Sequence, residues 1–248
     1  MVYTNQHTIA ILAYNNHEIT INNIEMLIND GNKNILLFDN GSKPSFEDFA
    51  KQKKLIYHRE NKNIYVNPAW NIIFNMVSTK YLTLLNNDCY VLSKNYFYEI
   101  VLHMDNDNII LSSCKTLNKK KIKIQNIKLY KKVYNYFYKK QLKYSIKARR
   151  QGWLMTLNLA EYKKLNYLIP NYIKIWYGDD WIWSQIIKNN KKYVVYKNRY
   201  ALHLRNKTLS NQSIQTILDK DKKNMEEKGK DWVEKSIYIK SRLFNRYV

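Results

Sequence analysis

The sequence predicts an α/β fold, with a mostly parallel central sheet flanked by helices, a basic helical insert and a helical C-terminal tail. Three observations lead there. Four apolar segments of strand length recur in the first ninety residues: Thr8 to Tyr14, Asn34 to Phe38, Leu55 to His58 and Tyr81 to Leu85. Helical periodicity fills the gaps between them, and strands that alternate with helices imply right-handed crossovers and a parallel sheet. Each apolar segment also runs into a polar stretch: Tyr14-Asn15, Asp39-Asn40-Gly41-Ser42, Glu60-Asn61 and Asn86-Asn87-Asp88. Ligands of open parallel sheets bind outside the carboxyl ends of the strands. Four consecutive ends with Asn, three of them with an acid, therefore predict a cleft for a polar ligand.

The connecting helices follow in order. Ile21, Ile24, Leu27 and Ile28 repeat at helical spacing and stop at Gly31, a residue suited to end a helix. Phe46 and Phe49 mark a shorter helix. Asn67 and Pro68 read as a cap and first-turn pair ahead of Ala69, Ile73, Met76 and Val77. In the Lys-rich segment 118–150, Tyr130, Tyr134 and Tyr138 share one helical face, so this insert is expected to pack aromatics inward while lysines face water. Ile182, Trp183, Ile186 and Ile187 are spaced for a helix after the acids Asp179 and Asp180. The tail from Ser210 has apolar marks at Ile214, Ile217, Leu218, Met225 and Trp232, which predict helices that cover the neighbouring half of the domain or mediate self-association.

Composition removes several classes. Only five glycines are present, at positions 31, 41, 152, 178 and 229, so neither a phosphate-binding P-loop nor a dinucleotide fingerprint can be placed. A bound nucleotide would need another grip on its phosphates, such as a metal. Cys89 and Cys114 stand without a CxxC pair, which supports neither a disulfide framework nor a zinc knuckle and fits a reducing compartment. With no membrane-length apolar run and no signal-peptide pattern, a cytoplasmic location is expected.

The 42 Lys+Arg residues outnumber the 20 Asp+Glu and leave a net charge of +22. Of the 42, 35 are lysines, and a chain rich in Lys, Asn, Ile and Tyr is what AT-rich coding produces whatever the protein does. Distribution is more informative than the total. From Asn108 to Ala160 there is no acid, while 14 basic residues lie between Lys115 and Arg150. Basic side chains interleaved with aromatics suit a polyanion such as nucleic acid, an anionic membrane or an anionic polymer.

The order of motifs carries a resemblance. AYNN at Ala13 to Asn16, FDNGS at Phe38 to Ser42, HREN at His58 to Asn61 with Ala69 to Asn71, and LLNND at Leu84 to Asp88 resemble the nucleotide-binding half of family-2 glycosyltransferases of the GT-A fold. GWLM at Gly152 to Met155, YGDD at Tyr177 to Asp180 and His203 resemble the acceptor half in the same order. The resemblance implies a domain over 1–210, divided into a nucleotide-sugar half (1–117), the basic insert (118–150) and an acceptor half (151–210), with 211–248 as a helical extension.

On that resemblance, Ala13, Tyr14 and Asn15 would receive the nucleoside, Asp39 would hydrogen-bond the base, and Asn40, Asn61, Asn71, Asn86 and Asn87 would line the donor site. Asn63 departs from the glycine usual after the EN pair. Asp88 and His203 would hold a divalent metal, Mn2+ or Mg2+, for which one carboxylate suffices when the diphosphate completes the shell. Asp180 would act as base on the acceptor hydroxyl in an inverting displacement, with Asp179 orienting the acceptor or capping the helix. The same YGDD also occurs in the metal-binding hairpin of template-directed polymerases, but that reading needs a strand after the acids where a helix is expected. The donor would be a nucleotide sugar, a UDP-sugar foremost. For the acceptor, a hydroxylated base in DNA best suits the insert, with Trp153 and Lys119, Lys120 and Lys121 as contacts. A glycan, lipid-linked or protein acceptor is the alternative, and a nucleic-acid-binding module without catalysis is the third reading.

Overall fold

The computed structural model describes residues 5–118, 124–136, 138–139, 141–146, 152–204 and 212–228. The four expected strands are β1 (His7–Ala13), β2 (Ile35–Asp39), β3 (Ile56–Arg59) and β4 (Tyr81–Asn86). They alternate with α1 (His17–Asn29), α2 (Glu47–Gln52) and α3 (Val66–Met76). All pairings among these four strands are parallel, in the order β3-β2-β1-β4. Strands covered on both faces need apolar side chains on both, which is why β1, β2 and β4 read as largely apolar runs rather than alternating ones.

The sheet continues through β5 (Cys89–Val91), α4 (Tyr96–Asn106), β6 (Leu111–Asn118), α5 (Ile127–Tyr136), β7 (Tyr144–Ser145), β8 (Leu154–Asn158), the short α6 (Leu159–Tyr162), α7 (Gly178–Lys188) and β9 (Tyr193–His203). Among the described residues it runs β3-β2-β1-β4-β8-β6-β9-β5, with β7 added to β9. The parallel arrangement stops at β4. β8 pairs antiparallel with β4 and β6, and β9 is parallel to β6 but antiparallel to β5 and β7. The sheet is therefore parallel in its first half and mixed in its second. Only Asn87 and Asp88 separate β4 from β5, far fewer than the dozen or more residues a parallel crossover needs, so β5 cannot extend the parallel set beside β4; it pairs antiparallel with β9 instead.

Two cores sandwich the sheet. One joins Ala10, Leu36, Leu84 and Met155 to α3, α6 and α7, and the other joins Ile9, Ile11, Leu37 and Leu154 to α1, α2 and α4. Two helix expectations shift in detail. α3 begins at Val66, preceded by Tyr65 at φ 70°, so Asn67 is already inside the first turn. Its side-chain amide donates to the Trp176 carbonyl of a distant loop at 2.9 Å instead of capping the helix. α5 ends at Tyr136, so Tyr130 and Tyr134 pack beside a third cluster with Tyr90 and Leu202, while Tyr138 lies beyond the helix and donates its hydroxyl to Glu99. The tail forms α8 (Gln212–Lys228), which buries Leu218 and Met225; Trp232 lies outside the described residues. Among the described residues no helix is long and apolar enough to cross a membrane.

Candidate active site

Strand register lines up the polar ends. Ala13 pairs with Asp39, Asp39 with Arg59, and Leu12 with Asn86, so the residues after β1 to β4 form one rim. Asp39 is fully buried at its centre. Its Oδ1 accepts from the Ser42 N–H at 2.8 Å, and its Oδ2 accepts from the Phe46 N–H at 3.1 Å, the Tyr57 hydroxyl at 2.9 Å and the Arg59 guanidinium at 2.5 Å. Burial alone would raise its pKa, but the hydrogen bonds from Ser42, Phe46 and Tyr57 outweigh it and hold the carboxyl below the usual range. Asp39 thus organises the 39–46 loop from within.

The other rim residues are tied to one another. Asn15, at φ 53°, donates its N–H to Ser42 Oγ and accepts from the Lys43 N–H, both at 2.9 Å. Buried Asn40 donates to Asn63 Oδ1 at 2.9 Å and accepts from the Ile64 N–H at 3.0 Å, which joins the β2 and β3 loops. Gly41 makes this possible. At φ +81° its missing Cβ would lie 2.6 Å from the Lys62 carbonyl carbon, so the two loops touch through backbone. Ala13 is buried, whereas Tyr14, Asn15 and Asn86 are half-buried and Asn61 is exposed. Asn71 lies apart from the rim: its side chain bonds both the N–H and the carbonyl of Ile169 at 2.8 Å.

Asp88 and His203 come together at the seam between the two halves. The cross-strand pair Cys89 and His203 sets them side by side, with His203 Nε2 3.2 Å from Asp88 Oδ1 and both side chains largely buried. Trp153 stacks on the imidazole at a centroid distance of 4.7 Å and 15° between planes, and its indole N–H donates to Thr116 Oγ1 at 2.9 Å. Gly152, next to Trp153 in the chain, lies against one of the two acids, since a Cβ there would lie 3.0 Å from Asp179 Cβ and 3.2 Å from its Oδ2. Asp179 is half-buried and Asp180 buried, both in the first turn of α7, where the helix dipole favours carboxylates. A helix follows YGDD, which removes the polymerase hairpin reading.

Residues 8–162 match the family model described as glycosyl transferase family 2, well over half of the chain. The chain belongs to this family. No curated protein matches it by sequence. Among solved structures, it is similar to the mannosyltransferase PcManGT from Pyrobaculum calidifontis in complex with GDP-Man and Mn2+, at TM-score 0.61 and 9% identity over 82% of this chain and 58% of that one. It is also similar to S. aureus TarS 1-349 in complex with UDP-GlcNAc, at TM-score 0.58 and 12% identity over 89% and 66%. GalNAc-T7 with UDP, GalNAc and Mn2+ gives TM-score 0.62 and 14% identity over 80% and 43%. The chain spans between about two-fifths and two-thirds of the length of these structures. The likeness establishes the fold, which is GT-A.

Among the described residues, no three His, Cys, Asp or Glu side chains cluster as a metal site. The Asp88 and His203 pair nevertheless fits a divalent ion. Adjacent ligands of an octahedral ion with bonds near 2.1 Å are about 3 Å apart, close to the observed carboxylate-to-imidazole distance. His203 Nδ1 is buried without a hydrogen-bond partner, so this ring is not fixed by a hydrogen bond on its far side. Two protein ligands leave most of the shell to a ligand's oxygens.

Several supporting residues escaped sequence reading. Asn23 of α1 donates its Nδ2 hydrogens to the carbonyls of Asn87 and Cys89 at 3.0 Å, and Asn87 turns back to donate to Thr20 Oγ1 at 3.0 Å. The turn that bears Asp88 is thus pinned from behind by α1. A signal existed: Thr20 and Asn23 interrupt the otherwise apolar face of Ile24 and Leu27. Arg59 and Tyr57 as partners of Asp39 had none beyond their place in β3. Lys119, Lys120 and Lys121 lie outside the described residues.

Proposed function

We propose that this chain is an inverting, metal-dependent glycosyltransferase that moves a sugar from a nucleotide-sugar donor to an acceptor hydroxyl. One observation carries the reading. Asp88 and His203 meet beside Trp153, and Gly152, the residue before Trp153, lies against Asp179, so a carboxylate–imidazole pair and an acid flank the same dipeptide. The neighbours solved with GDP-Man, UDP-GlcNAc and Mn2+ support a nucleotide-sugar donor, a UDP-sugar foremost, and a divalent ion.

The rim at Tyr14, Asn15 and Asn61 receives the nucleotide, over a loop shaped by Asp39 and Asn40. Asp88 and His203 hold Mn2+ or Mg2+, which when bound neutralises charge that develops on the departing diphosphate. Asp180 takes the proton of the acceptor hydroxyl as its oxygen bonds to the anomeric carbon and the bond from that carbon to the diphosphate breaks, which inverts the centre. Asp179, against Gly152, orients the acceptor.

The acid-free basic insert supports a hydroxylated DNA base as acceptor, with Lys119, Lys120 and Lys121 and Trp153 as contacts. A lipid-linked acceptor is the second reading, because on α5 the exposed Leu129, Val133 and Tyr136 form an apolar stripe next to Lys128 and Lys132. The test is release of nucleoside diphosphate from a panel of donors with Mn2+, followed by transfer to hydroxylated duplex DNA and to anionic vesicles carrying lipid-linked sugar. Absence of donor turnover under all conditions would overturn the enzyme reading. Duplex binding insensitive to salt would overturn the DNA acceptor.

A further inference from the structure

The acid pair opens α7, yet residues 163–177 before it contain no helix or strand. The N-terminus of a helix entered through an irregular loop is only as well placed as the contacts that hold the loop. Two opposed elements hold this one. On one side, α3 supplies the Asn67 N–H to the Lys174 carbonyl and the Asn67 side-chain amide to the Trp176 carbonyl, each at 2.9 Å. Gly178 closes directly on that residue: a Cβ there would lie 2.0 Å from Asn67 Oδ1.

On the other side stands α8. Asp221, 1% exposed, accepts from three consecutive backbone amides, with Oδ1 at 2.7 Å from Lys174 N and Oδ2 at 2.7 Å from Ile175 N and 2.9 Å from Trp176 N. One turn further on, Asn224 donates to the Tyr172 carbonyl at 2.6 Å. Three amides converging on one carboxylate form an anion nest, and charge-assisted bonds of this kind are about twice as strong as neutral ones. The C-terminal helix lies outside the segment that matches the family, residues 8–162.

We infer that Asp221 is a positioning residue for catalysis: α8 clamps the 172–176 loop against α3 and thereby sets Asp179 and Asp180 in the cleft. The helical extension is then part of the acceptor site's machinery rather than an appendage. This inference rests on the reading of the acid pair as the acceptor side of a glycosyltransferase. Misplacement of a reacting group by ~1 Å can reduce a rate by ~100-fold.

Asp221→Asn tests it, because the variant keeps the shape and loses the charge and half of the acceptor capacity. The full chain is compared with wild type for transfer kcat, affinity for nucleoside diphosphate with Mn2+, and amide hydrogen exchange. We expect kcat to fall ~10- to 100-fold, nucleotide affinity to stay within about twofold, and exchange protection to drop at residues 174–181 with β1 and β4 unchanged. Asn224→Ala, which removes a single bond, should give a smaller loss of the same kind and serves if the first variant fails to fold. A wild-type kcat in a folded variant, or a fall in nucleotide affinity equal to the fall in kcat, would overturn the inference. If wild type itself transfers no sugar, the functional reading fails. The exchange result still reports whether Asp221 clamps the loop.

Discussion

The two halves of this molecule hold their functional side chains by different means. In the donor half every candidate residue except Asn71 of α3 sits within a few positions of the end of a parallel strand, so sheet register delivers Ala13, Asp39 and Asn86 to one rim. In the second half the sheet is mixed, and the key groups arrive from a strand end (His203), a strand start (Trp153) and a helix reached through an irregular loop (Asp179 and Asp180). Backbone hydrogen bonds of the sheet place the first set, whereas side-chain clamps such as Asn67, Asn71 and Asp221 place the second. Damage to a clamp should therefore affect transfer selectively, while damage to a rim loop should affect folding and donor binding together. The halves share one polar seam across the sheet: His7 Nε2 bonds Thr83 Oγ1 on β4, which bonds Thr156 Oγ1 on β8, each at 2.8 Å.

Asp88→Ala should have the largest effect, because it removes the only carboxylate of the proposed cation pair. Donor turnover with Mn2+ is expected to fall by at least ~1,000-fold, read as nucleoside diphosphate released. An unchanged rate at any Mn2+ concentration would separate Asp88 from the chemistry. Asp180→Asn follows, with transfer down ~100- to 10,000-fold and nucleotide affinity retained by calorimetry. The same measurement on Asp179→Asn sharpens the assignment, since loss in that variant with survival of Asp180→Asn would exchange the two roles.

Gly41→Ala breaks the donor half by a different route. It places a side chain at φ +81° against the Lys62 and Asn63 backbone, which cannot give way as a flexible side chain would. A loss of ~1–3 kcal/mol in denaturant unfolding is expected, with weakened nucleotide binding. Wild-type stability would show that the loop contact is dispensable.

The smallest effect concerns pH. Burial pushes the His7 pKa down to about 3 from the ordinary 6.5. The folded state therefore resists a proton that the unfolded chain takes up, so the stability of neutral His7 is complete above about pH 6.5 and declines as pH falls toward 3. Asp39, whose pKa is also lowered, adds to the loss in the acid part of that range. His7→Gln should flatten the midpoint temperature between pH 6.5 and 4; a slope identical to wild type would assign the acid sensitivity to other groups.

Legibility followed the same division. β1, β2 and β4 were readable to within a residue or two because burial on both faces imposes apolar runs, β3 showed as a short segment of strand length at the partly exposed edge, and the polar rim was readable because it follows these segments. YGDD and the helix after it were equally plain. The Asp88 and His203 pair was accessible only through family resemblance, since nothing near Ala201-Leu202-His203-Leu204 signals a partner on another strand. The strands of the second half gave weaker signals, and the antiparallel course of β5 and β8 depends on connections that periodicity does not describe. Asn87 and Asn71 match donor-site positions of the family, and what the sequence did not show is that their side chains bond Thr20 and Ile169, where buried backbone and hydroxyl groups require partners.

By itself, the sequence determined the α/β class, the first four strands and the helices between them, the polar rim and the identity of the acids, because these depend on periodicity and on residues close along the chain. Tertiary structure decided which distant groups meet: His203 with Asp88, Trp153 on His203, Asp179 against Gly152, and Asp221 beneath the loop that leads to α7. The physical reason is that each of these pairs joins segments far apart in sequence, and their meeting depends on sheet order and loop closure, which no local pattern encodes.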